Sequence, residues 1–114
     1  MIPTIFPHEI YKCPLCSITL QGPSITEQWK CGTCNSTVTI YAEDHEGRRH
    51  TINRLRPSEV SEDFLVVLPI SGFQHIHSII DVTKEDEVYR IALRNYRVKR
   101  YQPDELLNCV IGGW

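Results

Sequence analysis

Cys13-Pro14-Leu15-Cys16 and Cys31-Gly32-Thr33-Cys34 decide the reading of this chain. Together they form C-x2-C-x14-C-x2-C. Each C-x-x-C turn lets two sulfurs reach one ion from a single tight loop, and two such loops complete a tetrahedron with metal–sulfur bonds of about 2.3 Å. The residues around the cysteines suit those turns. Pro14 presets its own φ, Gly32 is free of a side chain, and Asn35 tolerates left-handed backbone.

Working outward, the flanks favour strands. Ile10-Tyr11-Lys12 leads into the first pair and Glu27-Gln28-Trp29-Lys30 into the second. From Ser36 to Ala42, Val38 and Ile40 alternate with Thr37, Thr39 and Tyr41, and Gly22-Pro23-Ser24 marks a turn between the pairs. A zinc-bearing ribbon over roughly residues 8–42 follows, within a first domain of residues 1–45. With all four positions taken by sulfur the site is closed to water and substrate, so Zn2+ there is structural, and its binding energy is largely folding energy. Two disulfides or a four-thiolate iron site are the competing uses of the same cysteines. Trp29, beside a ligand, is expected to cover the site.

The segments Tyr11-x-Cys13-Pro14-x-Cys16 and Trp29-x-Cys31-Gly32-x-Cys34 resemble the zinc ribbon (rubredoxin-like) group over about a third of the chain. The resemblance implies a zinc ribbon fold with these four cysteines as ligands and says little about function. Ser17 stands where such ribbons usually carry glycine.

The whole chain has 114 residues and a formal charge of −2, which four thiolates around a divalent zinc would bring to about −4. A globally basic nucleic-acid binder is excluded, while a local basic face is not. No apolar run approaches the ~20 residues of a membrane span, and Met1 to Pro7 lack the pattern of a signal peptide, so a cytoplasmic protein without membrane contact is expected. The fifth cysteine, Cys109, lies among Leu106, Leu107, Val110 and Ile111 and reads as a buried inert thiol.

The remainder, residues 46–114, reads as a second, small β-rich domain, its seam at the acidic turn Glu43-Asp44-His45-Glu46-Gly47. That turn equally suits a hairpin in which Arg49 to Leu55 runs back beside Thr37 to Tyr41. Phe64 to Leu68 and His75 to Val82 read as strands. Val88 to Tyr101 reads as a hairpin about Arg94-Asn95, with Leu93 facing Tyr96, Ile91 facing Val98 and Tyr89 facing Arg100 on an apolar side, and Arg90, Arg97 and Lys99 on the other. A helix from Thr83 competes for the same residues. Pro103-Asp104-Glu105 is expected to open a short helix through Leu106, Leu107 and Val110. The expected class is therefore mainly β with a small helical part: a zinc ribbon, then a small SH3-like barrel with a short C-terminal helix.

Arg90, Arg94, Arg97, Lys99 and Arg100, with no acid between Val88 and Tyr101 and with Tyr89, Tyr96 and Tyr101 interleaved, form the candidate binding stripe. Arginine on phosphate with tyrosine under a base is a workable nucleic-acid surface; a solvated sheet face with buried tyrosines is the plainer reading. His75 and His77 are a weaker candidate for a second metal, and Trp114 is a docked anchor or a tail. No phosphate-cradling glycine loop, nucleophile elbow or metal-hydrolase motif is present. The sequence therefore points to a non-enzymatic module with no small-molecule substrate. Its expected role is accessory or regulatory in a nucleic-acid machine, touching nucleic acid or a nucleoprotein complex; the alternative is a protein–protein adaptor or inhibitor.

Overall fold

The computed structural model describes residues 6–68 and 76–112. Among these residues nine strands form one sheet: β1 (His8–Cys13), β2 (Ile18–Leu20), β3 (Thr39–Glu43), β4 (Arg49–Leu55), β5 (Leu65–Val67), β6 (Ile76–Glu85), β7 (Val88–Leu93), β8 (Val98–Tyr101) and β9 (Leu107–Gly112). Their order across the sheet is β2-β1-β3-β4-β9-β5-β6-β7-β8, every pairing antiparallel. Up to β8 each half of the chain pairs with near neighbours. β9 then enters between β4 and β5 and joins the halves.

The β3–β4 hairpin forms as its sequence suggests. Ile40 and Ala42 are fully buried on alternate positions of β3, and Ile40 lies opposite Ile52. The connecting turn is closed by Asp44, whose Oδ1 accepts the N–H groups of Glu46 (3.0 Å) and Arg48 (2.9 Å), while Gly47 takes φ +80°. The expected boundary at residues 45/46 falls in this turn, with sheet pairing on both sides of it.

Period-two alternation divides β4, β5 and β9 between two cores. Ile52 and Val67 pack with Phe6, Leu20, Ile25, Trp29, Val38 and Ile40 in the first; Leu55, Val66, Leu107 and Cys109 pack with Ile79, Ile91, Leu93 and Tyr101 in the second. The sheet is open, not the closed SH3-like barrel expected of residues 46–114: β4 pairs onward with β3, and β8 stays at the far edge, so the two do not close on each other.

Among the described residues there is no C-terminal helix either. Pro103-Asp104 instead forms a turn closed by Glu105 N–H to Gln102 O (3.1 Å) and Gln102 N–H to Glu105 Oε1 (2.9 Å), and residues 107–112 are a strand. The physical reason is the gap between β4 and β5: a strand there satisfies the backbone of both neighbours and puts Leu107 and Cys109 in one core and Val110 against the other. Nor do residues 27–30 continue as a strand; they turn, with Trp29 at φ 58°.

Val88 to Tyr101 is a hairpin and not a helix, but its register is one residue from the expected one. Tyr89 lies opposite Tyr101, Ile91 opposite Lys99 and Ala92 opposite Val98. A two-residue hairpin turn needs positive φ at its first central position (type II′) or at both (type I′); Arg94 does not take it and Asn95, at φ 59°, does. Tyr96 therefore joins the loop. A one-residue shift exchanges the faces of β8, so Tyr101 is buried and Val98 is 38% exposed.

Candidate metal centre

The first cysteine pair leaves the end of β1 and the second follows the turn after Trp29. The two loops fold alike. Ser17 N–H donates to Cys13 O (2.9 Å) and Asn35 N–H to Cys31 O (2.8 Å), and the two residues that close them adopt φ 59° and 61°. Ser17 thus occupies the left-handed conformation for which glycine is the easier residue. Gly32 is required for another reason: its N–H donates to Ser24 O at 2.7 Å, and a Cβ added there would stand 2.9 Å from that same oxygen.

These loops bring the sulfurs of Cys13, Cys16, Cys31 and Cys34 within 4.8 Å of one another, with Cys13 Sγ and Cys34 Sγ 3.3 Å apart. Four bonds of ~2.3 Å to one tetrahedral ion require sulfur separations near 3.8 Å, so the donor set fits a four-thiolate metal with small adjustments. All five cysteines are free thiols, so the two-disulfide alternative is not adopted.

The loops also prepare the sulfurs for charge. The hydroxyl and N–H of Ser36 hold the Cys34 thiol down at about 6, and the Cys34 and Thr33 N–H groups lower that of Cys31. Cys16 moves oppositely, to about 12, chiefly because it shares hydrogen bonds with Cys34 and Cys13. Four adjacent sulfurs cannot all ionise alone; a divalent cation among them supplies the missing positive charge.

Behind the second pair lies a network that the sequence reading missed. Trp29 is 2% exposed, and its ring meets Tyr11 at 5.4 Å and the Arg54 guanidinium at 4.3 Å. Arg54 is fully buried. It grips Glu9 with two hydrogen bonds, 3.1 and 2.5 Å, and its Nε donates to Asn108 Oδ1 at 2.8 Å. Glu9 also accepts from the Tyr11 hydroxyl (2.6 Å) and the Phe6 N–H (2.8 Å). Burial alone would raise the Glu9 pKa, but the Arg54 hydrogen bonds and charge, with Tyr11 and Phe6, bring it below its usual value. A bulky residue at positive φ is an outlier that its surroundings must hold, and here the stacked guanidinium does so, one residue from Lys30 and two from Cys31. Lys30 is fixed in turn by Glu59 (2.7 Å) and Thr37 (3.0 Å). The available signal was parity: Glu9, Tyr11 and Cys13 alternate along β1, and Arg54 shares a face with Ile52.

The five basic candidates do not form one stripe. Arg90 lies opposite Arg100 and Thr83, on a face that also carries Asp81 and Glu85 from β6; Arg100 Nε stands 3.9 Å from Glu85 Oε1. Lys99 is on the other face, its ammonium 5.4 Å from the Tyr101 ring. Arg94 and Arg97 occupy the exposed β7–β8 connection. The expected grouping of Arg90, Arg97 and Lys99, with Arg100 on the apolar side, is overturned by the register shift.

His77 Nδ1 lies 2.9 Å from the Arg94 carbonyl and its ring 5.1 Å from that of Tyr96, whereas His75 and Trp114 lie outside the described residues. Cys109 is buried, and its thiol is pushed up to about 12 by that burial and by the Glu59 charge. Among the described residues no helix is long and apolar enough to cross a membrane. No protein family, characterised protein or solved structure matches the chain.

Proposed function

We propose that this chain is a non-enzymatic, zinc-stabilised binding module that serves a nucleic-acid machine as an accessory or regulatory protein. The observation that carries the zinc reading is the convergence of four sulfurs within 4.8 Å on two loops of matching geometry. Zinc suits them as a tetrahedral, redox-silent ion that accepts four thiolates. In this reading the ion is structural: it closes the ribbon and holds β1 and β2 against the Trp29 turn. Metal analysis of the purified chain should return one zinc per chain, and iron or no metal would end the zinc reading.

Contact with nucleic acid or a nucleoprotein complex is assigned to the β7–β8 hairpin. Its support is the run of Arg90, Arg94, Arg97, Lys99 and Arg100 in a chain of net charge −2. Binding would be modest and would weaken with salt by about 0.7–0.9 log unit per phosphate contact per tenfold rise in salt. Arg90→Glu with Arg97→Glu should abolish it without unfolding the chain. A protein adaptor is the second reading. It is favoured by Phe64, Leu65 and Ile111, which are 37%, 42% and 52% exposed around an open groove of about 580 Å³. A partner retained equally after nuclease treatment would select it.

A further inference from the structure

Arg90 and Arg100 share their face with Asp81 and Glu85, so their charge is partly offset there. The turn at the opposite end of the hairpin differs. Arg94 donates from Nε to Ser78 Oγ at 3.2 Å, and among the described residues neither Arg94 nor Arg97 forms an ion pair with a carboxylate. Between them Tyr96 is 43% exposed; the Arg97 guanidinium lies over its ring at 5.6 Å from the centroid, and the His77 ring meets it at 5.1 Å, tilted by 43°. His77 is itself 9% exposed and tied to the Arg94 carbonyl at 2.9 Å, so it backs the tyrosine as a fixed wall. The shift that draws Tyr96 into the loop is what removes it from the core and presents it beside two arginines.

We propose that this turn is a stacking site for one unpaired nucleobase and its flanking phosphates: Tyr96 offers the platform, and Arg94 and Arg97 take the phosphate charge. The inference rests on the nucleic-acid reading above and narrows it to single strands. In a duplex the base faces are already stacked, and reaching one would require unpairing it; a single strand presents them freely. The footprint is small, one aromatic ring and two guanidinium groups. The salt dependence therefore corresponds to about two phosphate contacts, at about 0.7 log unit each for a single strand.

The test is fluorescence anisotropy of the metal-loaded full chain at low salt, with a labelled oligothymidylate of about 12 nucleotides and with the same strand annealed to its complement. The single strand should bind and the duplex bind at least about tenfold more weakly. Tyr96→Ala should weaken single-strand binding by about tenfold, the scale of one lost base–aromatic stack, while Tyr96→Phe keeps it. Arg100→Ala should cost less than Arg97→Ala. Metal content and circular dichroism of each variant establish that it is folded. A single strand bound equally by the wild type and a folded Tyr96→Ala variant would overturn the stacking site, as would a larger loss in Arg100→Ala or tighter binding of the duplex; each leaves the broader nucleic-acid reading standing. Binding of neither strand form would overturn both.

Discussion

The two ends of the sheet are built from different interactions. From β2 to β4 the specific groups are polar: four sulfurs around one point, those of Cys13 and Cys31 on buried residues, and Arg54 buried between Glu9, Asn108 and the Trp29 ring. From β5 to β8, the core is aliphatic and aromatic (Ile79, Ile91, Leu93, Tyr101), and the charges, such as Arg100 and Glu85, stand in solvent. A buried charge with its partner removed costs several kcal/mol, whereas a solvated pair costs almost nothing, so the same kind of substitution should behave very differently at the two ends.

Metal removal should have the largest effect. Apparent binding free energies of structural zinc are ~10–16 kcal/mol, comparable with or larger than the whole stability of a domain of this size. Chelation is expected to unfold the first core. Amide protection at Ile91 and Leu93 should then outlast that at Val38 and Ile40 in hydrogen exchange. Simultaneous loss at all four would break the comparison and make the chain one cooperative unit joined by β9.

Next comes Glu9→Gln, which leaves the Arg54 charge buried without its counter-charge and should destabilise by about 3–5 kcal/mol in denaturant titration. The same pair sets an acid limit. Because the folded pKa of Glu9 lies below its ordinary value of 4.5, its stabilisation is complete above that value and is lost as pH falls through the lower, folded one. The variant should show a weaker acid-side loss than the wild type; equal slopes would remove Glu9 as its source.

Cys109→Ser lies between the extremes. Its thiol packs in the second core and donates to the Leu107 carbonyl at 3.8 Å. A hydroxyl there should cost about 1–2 kcal/mol with metal content unchanged. A loss of metal would contradict the ligand assignment. Smallest of all is Arg100→Ala, which removes an exposed pair at 3.9 Å and should change stability by less than about 0.5 kcal/mol.

Features set by near neighbours in the chain were legible beforehand. The two C-x-x-C loops depend on turn residues beside their own ligands, and the pairing of β3 with β4 depends on alternation about one acidic turn. The hairpin from Val88 to Tyr101 was legible as strands, but its register rested on which loop residue could accept positive φ, and Asn95 alone does. That single residue decided which of Tyr101 and Val98 is buried and how the arginines divide. Arg54 lay within the candidate return strand Arg49 to Leu55 and Glu9 one residue before the Ile10-Tyr11-Lys12 flank, and nothing local pairs residues 45 apart in sequence.

By itself, then, the sequence determined a four-cysteine cluster, a mainly β chain and a basic hairpin, because cysteine spacing, turn chemistry and side-chain alternation act over a few residues. Only the tertiary structure decided that residues 107–112 form a strand, that this strand closes the gap between β4 and β5, and that an arginine is buried behind the cysteine loops. A backbone segment with mixed preferences takes the conformation that satisfies the most hydrogen bonds around it, and those partners lie in strands ending at Leu55 and Val67, far from Cys109 along the chain.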